Sequence, residues 1–110
     1  MALTNDILRG YTDTIILARL CAGDSYGYGI NKSVTEISGG TFEMKEATLY
    51  TAFRRLEQGE YIVSYWGDEG SGARRRYYKL TTKGMEKLRE DKAAYSETRK
   101  LLDRFFEEEN

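Results

Sequence analysis

After Thr81 and Thr82 the chain runs to its acidic end without a proline, and Leu88, Tyr95 and Leu102 recur every seven residues. Met85, Leu101, Phe105 and Phe106 widen the same stripe. The pattern predicts one helix from roughly Lys83 to Glu108. A helix of about 25 residues is about 38 Å long at 1.5 Å per residue. The residues before it, some 80 of them, make a domain with a radius of gyration of only about 12 Å. The far half of the helix must therefore overhang, and its apolar side needs a cover. Heptad spacing points to a homodimer, with the first helix contributing. The expected interface residues are Leu8, Ile15, Leu88, Leu102 and Phe105; the alternative is a helix folded back on its own domain. The domain division follows: 1–82 as the globular unit and 83–110 as the dimerisation helix.

Composition narrows the chemistry. The 110 residues contain no histidine, one cysteine and no proline. Without histidine, His/Cys zinc sites and Ser-His or Cys-His nucleophilic pairs are excluded. No acidic pair sits in an apolar setting that would raise a pKa, so an enzyme is not expected, nor a cofactor or metal. Cys21, within IILARLC, reads as a buried small hydrophobe. No apolar run approaches the roughly 18 residues of a membrane span, and no leader precedes the first helix, so a cytoplasmic protein is expected.

Residues 5–22 read as the first helix, capped by Thr4 or Asn5, with Leu8, Tyr11, Ile15 and Leu20 at helical spacing. GDSYGYG breaks it. That stretch lacks the spacing of a phosphate-cradling loop and reads as a turn in which Asp24 or Ser25 caps the next helix. This second helix spans about Tyr26 to Ser38, with Ile30, Val34 and Ile37 at i, i+4 and i+7, and stops at Gly39-Gly40. Phe42 and Met44 alternate with polar neighbours, as in a very short strand.

KEATLYTAFRRLEQGEYI holds the third helix. Leu49, Phe53 and Leu56 share its buried face. The opposite face carries Ala47, Thr48, Thr51, Arg54 and Arg55, with Tyr50 on the flank. Gly59 ends the helix, Tyr61–Trp66 reads as a strand, GDEGSG as a turn, and Arg74–Leu80 as the returning strand. Alternation sends Arg74 and Arg76 to one face of this hairpin and Arg75 to the other. The net charge is −1, but Arg74, Arg75, Arg76 and Lys79 gather positive charge in one place, which suits a polyanionic partner.

Helix, helix, short strand, helix, strand, basic turn, strand, helix is the order of a winged helix-turn-helix domain. The fold class is mainly α with a small β-hairpin, followed by a C-terminal dimerisation helix. In such a domain the third helix enters the major groove and the hairpin, or wing, touches the backbone. Arg74, Arg75, Arg76 and Lys79 are then positioning residues, with one arginine able to enter the minor groove. Thr48 and Thr51 are candidates for base contact, Tyr50 borders them, and Arg54 and Arg55 reach a phosphate or a guanine. Lys45 stands where a helix start favours Ser, Asp or Asn and opposes the macrodipole, which suggests that it serves a phosphate.

ATLYTAFRRLE, YWGDEGSGARRRYYKLT and DSYGYGI resemble the PadR family of bacterial transcriptional regulators, in particular its short, multidrug-binding repressors. The resemblance covers nearly the whole chain. It implies a homodimer in which the last helix packs on the partner's first helix. It also implies a repressor, often of a transporter or stress-response gene, on double-stranded DNA with a palindromic operator. A small-molecule effector, flat and aromatic, would lie between Ile7, Tyr11 and Thr14 of the first helix and Tyr95 and Arg99 of the last. The multidrug binders carry a tryptophan where this chain has Tyr95, and Arg99 one turn on repels cationic compounds. A rival expectation is a winged helix that docks protein and binds no DNA; such a wing would more often carry an apolar patch than an RRR run.

Overall fold

The computed structural model describes residues 2–68 and 74–108. The elements in chain order are α1 (Ala2–Arg9), α2 (Thr12–Ala22), β1 (Ser25–Tyr26), α3 (Gly27–Ile37), α4 (Glu46–Gln58), β2 (Ile62–Asp68), β3 (Arg74–Leu80) and α5 (Thr82–Glu108). The three strands form one antiparallel sheet in the order β1-β3-β2. Ile62 pairs with Leu80 and Trp66 with Arg76 in the hairpin, while Ser25 and Tyr26 pair with Tyr78 and Tyr77. Of the turn expected at GDEGSG, residues 69–72 lie outside the described residues, while Gly67 and Asp68 continue β2.

The core lies between α2, α3, α4 and the inner face of the sheet. Ile16, Leu17, Ile30, Phe53, Leu56 and Ile62 are fully buried there. Each such side chain contributes about 1.5–3 kcal/mol on leaving water, and Phe53 and Leu56 anchor α4 in this way. Phe53 stacks on Tyr78 with centroids 3.9 Å apart and planes 14° from parallel, and this joins α4 to the central strand.

Several local expectations need correction. The helix expected over residues 5–22 is two helices. Gly10 and Tyr11 donate to the carbonyls of Ile7 and Leu8 and turn the chain, and α1 already begins at Ala2, so Thr4 and Asn5 lie inside it. Neither Asp24 nor Ser25 caps α3: Tyr26 holds the cap position without a side-chain hydrogen bond, Ser25 joins the sheet, and Asp24 accepts from the Tyr65 hydroxyl at 2.7 Å. Phe42 and Met44 alternate inward as expected, but no strand forms. Asn31 satisfies both backbone groups of Met44 instead, donating to its carbonyl at 2.8 Å and accepting from its N–H at 2.9 Å. Ile37 is 67% exposed although it shares the spacing of buried Ile30 and Val34, and Cys21, expected to be buried, is exposed in the last turn of α2.

At the end of α3, Gly39 and Gly40 have φ of 65° and 83°, a left-handed pair that stops the helix as expected. At the end of α4 the left-handed residue is Glu60 (φ 64°), not Gly59. Thr81 caps α5 by accepting from the Gly84 N–H at 3.0 Å, while its own hydroxyl donates to the Tyr61 carbonyl. A Cβ on Gly84 would stand 2.0 Å from that carbonyl oxygen, so only glycine lets α5 leave the sheet here.

The first part of α5 packs on α2. Thr14 donates to Asp91 at 2.9 Å, and the Tyr11 and Tyr95 rings meet edge to face at 6.0 Å. Beyond Asp91 every described residue except Ser96 is exposed. The overhang shows in the shape: the radius of gyration is 16.1 Å against about 13 Å for a compact chain of this length. Leu88 departs from its expected role. It is 6% exposed and belongs to the chain's own core, so it has no surface to offer a partner.

Candidate nucleic-acid interface

The face of α4 turned from the core is continuous and polar. Leu49, Ala52, Phe53 and Leu56 point inward, and Lys45, Ala47, Thr48, Thr51, Arg54 and Arg55 are all exposed. Lys45 occupies the cap position with no side-chain cap bond, while Glu46 in the first turn supplies the charge that suits the helix dipole. Arg54 reaches back one turn and donates to the Thr51 hydroxyl at 3.2 Å.

Arg55 on this face and Tyr50 on its flank are held by the protein itself. Arg55 donates from Nε to Asp13 on α2 at 2.9 Å and makes a second bond from its terminal nitrogen to the other carboxylate oxygen. The hydrogen bond to Asp13 is the main reason its pKa is raised. Arg55 is therefore a strut between α2 and α4, unlike Arg54. Tyr50 packs edge-on against Phe53 at 5.6 Å. Its hydroxyl lies over Gly27, where an added Cβ would come within 2.6 Å of it.

On the hairpin the arginines divide as alternation requires. Arg74 and Arg76 lie over the Trp66 ring at 5.5 and 5.9 Å, and Arg75 lies over Tyr26 on the opposite face at 4.6 Å. Arg76 also donates to the Ser64 hydroxyl at 2.8 Å and pairs with Glu57 of α4 at 3.5 Å. That contact sets the root of the wing beside the end of α4. Arg74, Arg75 and Lys79 are exposed.

Sequence reasoning assigned no role here to four residues that border this surface. Asp13 gave no signal, since its partner is 42 residues away. Arg9 and Asn5 line a cleft of about 620 Å³ with Lys45 and Thr48, because the break at Gly10 folds α1 back toward the start of α4. Tyr28, between two glycines at the start of α3, was placed in the turn and at the head of the second helix and given no role at the interface. The effector residues are partly gathered: Tyr11, Thr14 and Tyr95 meet on the α2–α5 seam, and Ile7 and Arg99 are exposed on α1 and α5. Among the described residues no cluster of three or more Cys, Asp or Glu is placed to hold a metal ion, and no helix is long and apolar enough to cross a membrane.

Residues 16–90, which run from the middle of α2 through the helix pair and wing into α5, match the model of the PadR-like transcriptional regulator family. The chain belongs to that family. A transcriptional regulator from Clostridium thermocellum is 43% identical, with a TM-score of 0.83 over 91% of this chain and 94% of that one. A PadR family transcription regulator from Clostridium difficile is 37% identical, with a TM-score of 0.78 over 87% and 98%. Bacillus subtilis PadR in complex with operator DNA shares the fold at 24% identity and a TM-score of 0.64, over 71% of this chain and 44% of that one. The winged-helix architecture of the family thus accounts for α3, α4 and the β2–β3 hairpin as one unit.

Proposed function

We propose that the chain is a homodimeric repressor that binds a palindromic operator in double-stranded DNA, at a transporter or stress-response gene. The observation that carries this reading is the Arg76–Glu57 contact, which sets the cationic wing beside the polar face of α4. Thr48 and Thr51 are the base-reading candidates. Lys45, Arg54, Arg74, Arg75 and Lys79 neutralise phosphates around them. Half-sites one helical turn apart follow from a two-fold dimer.

The dimer is supported by an exposed apolar stripe and an apolar groove. Leu101, Leu102, Phe105 and Phe106 are exposed along the end of α5. A groove of about 460 Å³ runs between α2 and α3, lined by Leu8, Ile15, Ala18, Ile37 and Phe42. Leu8 and Ile15, the residues expected at the interface, line this groove, which a partner's α5 would cover. The effector reading rests on the Tyr11–Tyr95 seam, where a flat aromatic compound would stack between two copies, with Ile7, Thr14 and Arg99 at its edges.

The test is duplex binding across a salt series, combined with sedimentation. A dimer whose log affinity falls with log salt by about 0.9 per phosphate contact supports the reading. A monomer indifferent to duplexes in dilute buffer ends it.

A further inference from the structure

We infer that Tyr28 is a neutral phosphate-contacting residue, whose hydroxyl donates to the duplex backbone between the wing and α4. This rests on the duplex-binding reading and adds a positioning residue that charge alone does not reveal.

Tyr28 is 72% exposed, more than the other exposed large apolar and aromatic side chains among the described residues. No core requirement explains a ring at that position. It stands at the start of α3, the first helix of the helix-turn-helix pair, which in this architecture crosses the DNA backbone while the second helix enters the groove. Its ring stacks on Tyr26 with centroids 6.4 Å apart and planes 22° from parallel, and Tyr26 is in turn covered by Arg75 at 4.6 Å. On its other side Tyr28 shares a hollow of about 220 Å³ with Tyr50 and Glu46 of α4. Arg75, Tyr26, Tyr28 and Tyr50 thus form one ledge from the wing to the reading helix.

The chemistry of that ledge is selective. Glu46 at its inner edge disfavours a phosphate entering the hollow, whereas a hydroxyl on the outer rim can donate to a phosphate passing over it. Tyrosine is among the side chains that make such contacts. A phenol brings no formal charge, so it displaces no counterion when it binds. Its contribution must add affinity without adding to the salt dependence. This separates it from the arginines, which change the slope, and from the threonines, which change sequence preference.

The experiment compares wild type with Tyr28→Phe on two duplexes of equal length: one selected by wild type from a random pool, and its scrambled counterpart. Affinity is measured across a salt series. Loss of one hydrogen bond predicts roughly three- to tenfold weaker binding to both duplexes, with the salt slope unchanged. Tyr28→Ala, which also loses the stack on Tyr26, should be at least as weak. A Phe variant matching wild type overturns the inference, as does a loss confined to the selected duplex or a flattened slope. Wild type that binds neither duplex overturns the duplex-binding reading and this one with it. Wild type that binds while the Phe variant equals it overturns this one alone.

Discussion

Arg55 of α4 grips Asp13 of α2 with two hydrogen bonds, and Tyr11 and Thr14, on either side of Asp13, meet Tyr95 and Asp91 of α5. One short helix therefore touches both the seam where a dimer or effector would act and the helix that would read DNA. The pair is partly exposed, so its worth to folding is small, up to about 1 kcal/mol. Its larger effect is to withhold a cation. Asp13→Asn should lower the unfolding midpoint only slightly while freeing Arg55 for a phosphate. The expected result is tighter binding to all duplexes, with the salt slope steeper by about 0.9. An unchanged slope would mean that Arg55 stays clear of the backbone even when released.

How far the sequence carried the reading depends on the element. The period of α4 was legible because only one of its faces is buried, so Leu49, Phe53 and Leu56 mark it without ambiguity. Alternation likewise told Arg75 from Arg74 and Arg76. The break at Gly10–Tyr11 was not legible, because Leu8, Tyr11 and Ile15 keep helical spacing across it and no proline separates the two helices. A two-residue strand such as Ser25–Tyr26 is too short for any periodicity, and its pairing with Tyr78 and Tyr77 is a tertiary event. Of the site, the outward residues of α4 and the wing were readable. The side chains that engage Arg55 and Arg76, namely Asp13, Glu57 and Ser64, were not, since contacts between distant segments leave no local trace.

The wing arginines should not be equivalent. Arg75 touches only the face of Tyr26 among the contacts described, whereas Arg76 is bound to Ser64 and paired with Glu57. Arg75→Ala is expected to flatten the salt slope by about 0.9 and weaken all sequences alike. Arg76→Ala should change the slope less and lower thermal stability by up to about 1 kcal/mol, since it detaches the wing from α4. Equal slopes in the two variants would show that Glu57 yields Arg76 to the DNA.

The heptad of α5 contains two kinds of residue, and mutation should separate them. Leu88 lies in the core, so Leu88→Ala is expected to cost about 2–5 kcal/mol of folding stability at any protein concentration. Phe105 is exposed, and Phe105→Glu should leave the fold of the domain intact while shifting sedimentation toward the monomer. The same periodicity marked both, because spacing identifies an apolar stripe and says nothing of which body covers it. Unchanged association in the Phe105 variant would remove the end of α5 from the interface.

Alkaline conditions probe the contact that holds α4 to the sheet. Tyr78 stacks on Phe53, and its phenol pKa is raised, chiefly by burial, with Glu57 and Tyr50 acting in the same direction and Arg76 against them. In the unfolded chain a phenol ionises near pH 10. Above that value the unfolded state holds fewer protons than the folded state, so stability falls as pH rises. The contribution is complete below about pH 10 and is lost as pH climbs toward the raised folded value. Tyr78→Phe removes this linkage, and urea midpoints measured from about pH 8 to about pH 11 should decline less steeply than in wild type. Some decline should remain, because the hydrogen bond to Asp24 also raises the pKa of Tyr65. Identical alkaline limbs in the two proteins would mean that the Tyr78 phenol ionises as readily folded as unfolded, and that the stack on Phe53 does not keep water from it.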